Sequence, residues 1–255
     1  VESYATAAQV YAAGLIFARV GALVMLLPGI GEQSVPPRIR LSFALLMCLL
    51  LSPLAAKNVF VPATMGDVGA QVIREVLIGL TIGMILRLFL SALATAGEVV
   101  SIQTTLGFAQ TANPMLGQPN ATLSTFLSLI GVVLIMTTDL HHLFLGAMVN
   151  SYDLFPLSRS TVPVGDAGTL AVRTVAGSFA LGIQLAAPVI VFSIIFNLAA
   201  GLIGRVMPQF QIYFVSSPLA VIFGLSIFAL SLGLVGMVWL NRYREMLNLF
   251  TGGAG

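Results

Sequence analysis

Of the chain's 255 residues, 58% are hydrophobic and 8% charged, and the mean hydropathy is +1.03. Soluble globular domains carry about 25% charged residues, so these values exclude a water-soluble domain and define an integral membrane protein or part of one. The formal charge of +2 comes from 11 basic and 9 acidic residues, scattered rather than gathered on one face, which leaves no nucleic-acid footprint.

Six apolar segments are predicted, over roughly residues 8–30, 39–56, 68–97, 122–150, 170–203 and 212–240. Most reach the approximately 20 residues that cross a hydrocarbon core. In lipid they must be helical, because an isolated strand leaves its backbone groups unpaired. The expected fold class is all-α: a multi-helix integral membrane protein forming a single domain over residues 1–255, with about six long apolar segments in broken helical hairpins.

The first segment has no basic stretch ahead of it, so no cleavable signal peptide is read. It carries Arg19 and the small residues Gly14, Ala18 and Ala22 at four-residue spacing, which lets backbones approach in an apolar medium. After the break PGIGEQSVPPRIR (28–40), the second segment holds the single cysteine, Cys48, read as a small core hydrophobe with no disulfide. The third follows AKNVFVPATMGD (56–67) and has Gly79 and Gly83 in a second small-residue pair. It also carries Arg74, Glu75 and Arg87, with Glu98 just beyond. Ionisable residues inside apolar helices are expensive and need partners. Inter-helix or inter-subunit ion pairs are the simplest reading for Arg19, Arg74, Glu75, Arg87 and Glu98. Arg87 and Glu98 are eleven residues apart, so on one helix they share a face without touching.

Then comes TTLGFAQTANPMLGQPNATLSTF (Thr104 to Phe126), rich in Gly, Pro and uncharged amides. Its breakers oppose helix formation, and Asn120 is placed to cap the segment that follows. Within the fourth segment lie Asp139, His141 and His142. Adjacent histidines diverge on a helix and no second cluster completes a ligand set, so no metal centre is expected and the trio is read as the polar end of that segment. The breaks YDLFPLSRSTVPVGDAG (152–168) and GRVMPQFQ (204–211) bound the last two segments. If all six span, Lys57, Arg159, Arg242 and Arg244 face one side and Arg38, Arg40 and Arg205 the other, nearly a draw on a rule that needs an excess. No nucleophile elbow, phosphate loop or dinucleotide fingerprint occurs, so neither an enzyme nor a cofactor is expected.

Three stretches in register resemble one family. ARVGALVMLLPGIGEQSVPPRIRLSFALLMCLLLSP carries Arg19, Pro28, Val35, Pro36, Arg38, Arg40 and Pro53. GEVVSIQTTLGFAQTANPMLG and its continuation carry Gly97, Glu98, Gln103, Gly107, Phe108, Ala109 and Pro114, then His141, Ser151 and Pro156. NLAAGLIGRVMPQFQIYFVSSPLAVIFG carries Asn197, Arg205, Pro208, Gln209 and Pro218. Together they resemble the FliR family of flagellar export-gate subunits, which includes the equivalent subunits of virulence type III secretion systems; the likeness leans flagellar. Two departures stand out. Thr138-Asp139 replaces a frequent Asn-Gly, and Ser216-Ser217 stands where Gly is frequent; neither is expected to touch the interrupted stretch.

The resemblance implies one copy of the chain joined to FliP and FliQ subunits at the entrance of a protein-export pore in the bacterial inner membrane. FlhB, FlhA and the basal-body MS ring would be neighbours, and unfolded exported proteins and membrane lipid further contacts. It implies a FliP-like part over 1–169 and a FliQ-like hairpin over 170–245, turning at Arg205, Pro208 and Gln209. It also assigns the loop near 106–120 as a pore plug, with Gly107, Phe108, Ala109, Gln110, Asn113, Pro114, Met115, Leu116 and Gly117. The residue types suit a plug: irregular backbone is tolerated at membrane depth where protein or water surrounds it, and Phe108, Met115 and Leu116 supply an adaptable apolar constriction. Taken alone, the residues also fit an exposed connector. Two alternative functions compete: a secondary transporter or ion channel with Arg87 and Glu98 in the substrate path, and a structural membrane scaffold.

Overall fold

The computed structural model describes residues 7–32, 34–55, 61–62, 64–107, 122–157, 164–209 and 211–251. These form α1 (Ala7–Leu26), α2 (Pro37–Ala55), α3 (Met65–Gln103), α4 (Thr122–Thr137), α5 (Leu140–Leu154), α6 (Val164–Val206) and α7 (Ile212–Thr251), with no strand among the described residues. The all-α expectation holds. Five helices are long and apolar enough to cross a membrane, or six spans if α4 and α5 count as one broken span. At 39, 43 and 40 residues, α3, α6 and α7 are each about 60 Å long at 1.5 Å per residue, about twice the hydrocarbon thickness.

The fourth apolar segment is not continuous. It divides at Thr138-Asp139, where Asp139 adopts φ 58° and ψ 16°, a left-handed conformation that cannot continue a right-handed helix. The Thr138 hydroxyl donates to the Leu134 carbonyl at 2.7 Å and closes the end of α4. Asp139 is thus the cap residue before α5 rather than the polar end of a long helix. It stands where Asn-Gly is frequent in the family that the sequence resembles, and glycine takes this conformation without steric cost.

The chain forms two compact units. The first comprises Val1–Leu88, Asp139–Val175 and Glu245–Gly255, the second Phe89–Thr138 and Ala176–Arg244. In the first, α1 packs on α2, and the Cys48 thiol donates to the Ala13 carbonyl at 3.3 Å. On the side of α3, a Cβ at Gly79 would collide with the Arg19 carbonyl and Ala22, and one at Gly83 with Leu23 and Leu26. These two glycines bring α3 against α1, as small residues do where dispersion rather than water exclusion drives packing. Gly14, of the other small-residue set, faces open space.

In the second unit, Gly97 lies against the backbone of Leu123 and Ser124, and Gly131 receives Leu90 and Leu93. Trp239 is fully buried; its indole N–H donates to the Phe89 carbonyl at 3.0 Å and its ring lies 5.0 Å from that of Tyr243. A buried indole needs such an acceptor.

Candidate functional site

The first unit places three of the sequence-selected charges together. Arg19 and Glu75 are almost wholly buried, and the Arg19 Nε donates to Glu75 Oε2 at 2.6 Å. Arg19 Nη1 donates to the Ser151 carbonyl at 2.9 Å and lies 3.3 Å from its hydroxyl, while Nη2 donates to the Phe155 carbonyl at 2.7 Å. The guanidinium also lies 4.1 Å from the Tyr152 ring centroid, a cation–π contact strengthened by desolvation. Phe155 is the cap residue after α5, and its amide already donates to the Ser151 carbonyl; Arg19 adds a second donor there and supplies one to the Phe155 carbonyl just past the helix end, where carbonyls have no intrahelical donor.

Arg74 is 5% exposed. Its Nη2 donates to the Pro156 carbonyl at 3.1 Å, and Nη1 stands 3.9 Å from Glu75 Oε1. Arg74 Nε and Nη1 and the Tyr152 hydroxyl have no hydrogen-bond partner among the described residues. Two buried guanidinium groups therefore share one carboxylate. Arg19, Ser151 and Pro156 are separate positions in the sequence; the fold joins Arg19 to Ser151 across 132 residues and Pro156 to Arg74 across 82. Tyr152 carried no signal in the sequence.

Arg87 and Glu98 behave differently. Both are exposed, and neither has an ion-pair or hydrogen-bond partner among the described residues. Among the described residues they are unpaired charges on α3, unlike Arg74 and Glu75 of the same helix.

Of the plug residues, only Gly107 is described, in a half-buried helical position. Phe108, Ala109, Gln110, Asn113, Pro114, Met115, Leu116 and Gly117 lie outside the described residues, as does Asn120. The stem that leads into them is built in detail within the second unit. Thr104 returns its amide and hydroxyl to the Val100 carbonyl at 2.9 and 2.8 Å, and Thr105 ends the helical run with φ 61°. The Ser193 hydroxyl donates to Gln103 Oε1 at 2.8 Å, and the Asn197 amide donates to Ser193 Oγ at 3.1 Å. Thr105 Oγ1 lies 3.4 Å from Ser217 Oγ. This corrects one expectation: the Ser216-Ser217 departure does touch the interrupted stretch, because α7 carries Ser217 to the end of α3. A Cβ at Gly224 would strike the Thr104 side chain, so the stem is also fitted closely from that side.

Arg205 is exposed in the last turn of α6, where a cation favours the helix dipole. Pro208 and Gln209 follow in an exposed turn before α7. An apolar groove of about 320 Å³ lies beside this turn, lined by Phe196, Ile203, Met207, Ile212, Val215 and Leu219 among others.

The donor atoms of Asp139, His141 and His142 lie within 4.8 Å of one another, and the two imidazole rings are 4.1 Å apart. Although both histidines lie in the first turn of α5, their rings do not diverge. Asp139 and His142 are exposed, with a 3.8 Å contact between Oδ1 and Nδ1.

Long apolar helices, interior ion pairing and tightly fitted glycines define a polytopic membrane protein. Residues 10–246 match the model of a family described as bacterial export proteins, family 1. The chain is 61% identical to the flagellar biosynthetic protein FliR of Caulobacter vibrioides over 252 residues, 98% of this chain and 100% of the relative. It is 29% identical to that of Escherichia coli over 91% of this chain and 88% of the relative, and 28% identical to that of Aquifex aeolicus over 92% and 91%. The chain belongs to this bacterial export family and to its flagellar FliR branch, and its role lies in flagellar protein export, not in enzymatic catalysis.

Proposed function

We propose that the chain is a core subunit of the flagellar type III export gate, a single copy that assembles with FliP and FliQ at the entrance of the export pore in the inner membrane. The observation that carries this reading is family membership over nearly the whole chain, at 61% identity to a FliR. FlhB, FlhA and the MS ring are its neighbours in the basal body, and unfolded flagellar proteins are its cargo. The FliP-like part covers 1–169; the FliQ-like hairpin covers 170–245 and turns at Arg205, Pro208 and Gln209.

The segment from Gly107 to Gly117 acts as the plug. A closed export pore must resist small ions yet yield to a polypeptide, which suits an uncharged loop with an apolar constriction at Phe108, Met115 and Leu116. The hydroxyls and amides of Gln103, Ser193, Asn197, Thr105 and Ser217 support the reading by fixing the root from which such a loop must swing. Arg19, Arg74 and Glu75 serve the fold of the subunit, whereas Arg87 and Glu98 serve its contacts with other subunits.

Two measurements test the proposal. Detergent extraction of the tagged chain is expected to yield FliP and FliQ with it; recovery of the chain alone or as a homo-oligomer refutes the assembly. Deleting Gly107 to Gln118 is expected to raise ion conductance across the inner membrane while export continues, and unchanged conductance refutes the plug.

A further inference from the structure

Between residues 73 and 87 of α3 the exposed positions are Ile73, Leu77, Leu80, Met84 and Arg87, and every other residue there is buried or half-buried. Their spacing is four, three, four, three. A helix that merely faces lipid exposes a broad arc, whereas a seam of single residues at an average of 3.5 is the pattern by which one helix packs on another through knobs and holes. The opposite side of α3 is occupied within its own unit: Gly79 and Gly83 meet α1, and Arg74 and Glu75 join Arg19. The seam runs for about 21 Å and ends on a cation with no partner among the described residues. An unpaired guanidinium among exposed Leu77, Leu80 and Met84 is costly in an apolar medium.

We propose that this seam is a docking surface for one helix of a different chain, which carries a carboxylate at the level of Arg87. Ile73, Leu80 and Arg87 occupy one repeating position of the heptad, Leu77 and Met84 the other, and a lone polar residue in such a series fixes register. A second copy of the same seam does not satisfy it. Parallel pairing sets Arg87 against Arg87, and antiparallel pairing sets it against Ile73. The occupant is therefore heterotypic, with small or aliphatic residues opposite Leu77 to Met84 and an acidic residue at one end. The inference rests on the reading of the chain as one subunit of a larger membrane complex.

The test is site-specific photo-crosslinking in the full chain in native membranes, with the probe at positions 73, 77, 80 and 84 of the seam and at the half-buried positions 76 and 81. Adducts to a single other chain from the seam positions, falling away at 76 and 81, support the proposal. Arg87→Glu is then expected to lower recovery of that chain about tenfold or more, the scale of a charge left unpaired at an interface. Arg87→Lys retains most of it, and the reverse charge change on the partner's carboxylate restores recovery with Arg87→Glu. Because Arg87 has no partner among the described residues of its unit, the detergent-solubilised chain keeps its thermal stability in both variants, which separates docking from folding. Seam adducts only to lipid or to a second copy, or full recovery with Arg87→Glu, overturn the inference even where FliP and FliQ co-purify. Seam adducts to an acidic helix of some chain outside any export complex leave the inference standing and overturn the export-gate assembly instead.

Discussion

The cluster of Arg19, Arg74 and Glu75 makes an ordered prediction. Glu75→Gln removes the only carboxylate that the structure shows against two buried guanidinium groups, leaving Arg19 Nε a neutral amide oxygen at most in place of its 2.6 Å carboxylate partner and Arg74 Nη1 without its 3.9 Å charge partner. Breaking a buried pair by removing one partner costs about 3–5 kcal/mol, because the remaining charge stays desolvated. Arg19→Gln belongs in the same range: it loses the ion pair, the bonds to the Ser151 and Phe155 carbonyls and the contact with Tyr152. Arg74→Gln loses one hydrogen bond, to Pro156 at 3.1 Å, worth about 1.5–3 kcal/mol for a charged donor. It also removes two unpaired buried donor atoms, so its net cost is expected near 1 kcal/mol. The assay is thermal unfolding of the purified chain in detergent, followed by near-ultraviolet circular dichroism of Trp239 and the tyrosines. The expected order of destabilisation is Glu75→Gln and Arg19→Gln well above Arg74→Gln. Wild-type stability in Glu75→Gln, or a larger loss in Arg74→Gln than in Arg19→Gln, refutes the assignment of Glu75 to Arg19 and of the excess charge to Arg74.

Three further outcomes follow from close contacts and backbone conformation. Gly97→Ala places a Cβ 2.6 Å from backbone atoms of Leu123 and Ser124, which neither side can yield cheaply. A loss of about 1–3 kcal/mol is expected, with reduced swarming that tracks lowered chain abundance in membranes. Asp139→Gly relieves a left-handed residue and is expected to leave stability unchanged or raise it by up to about 1 kcal/mol. Asp139→Val costs about 1–2 kcal/mol at the same position, as the same unfolding assay will read. Gln103→Leu removes the acceptor of the Ser193 hydroxyl and is expected to cost about 1–2 kcal/mol. Electrophysiology of the assembled complex should show more ion leakage in that variant than in Gln103→Glu, which keeps an acceptor.

Hydropathy alone placed every long helix, because 20 or so apolar residues in lipid admit only one backbone solution. It missed the division between α4 and α5, since Thr138-Asp139 carries neither Gly nor Pro and is flanked by apolar runs on both sides; the left-handed φ of Asp139 leaves no compositional trace. The close approach of α1 and α3 was half legible. Gly79 and Gly83 serve it, while Gly14, at the same kind of spacing, does not, because spacing marks a face and not what covers it. Ser193 was invisible as an isolated hydroxyl in an apolar helix and gains meaning only beside Gln103 and Asn197.

Arginine in an apolar segment has two physical solutions, and α3 itself contains both. Arg74 is turned inward, where Glu75 and the Pro156 carbonyl receive part of its charge; Arg87, thirteen residues later, is left on the outside. Sequence alone groups them, since each is a cation among aliphatic residues. Burial separates them: a charge satisfied inside the chain contributes to its folding, and one left outside contributes nothing until another surface arrives. Variants at the two positions should accordingly leave opposite traces. Loss of the inner charges lowers the stability of the isolated chain and, through it, every downstream function, whereas loss of Arg87 spares the isolated chain and acts only where a second chain is recruited. A variant of Arg87 that destabilised the purified chain as much as Glu75→Gln would place it in the interior network and remove the basis for an outward seam.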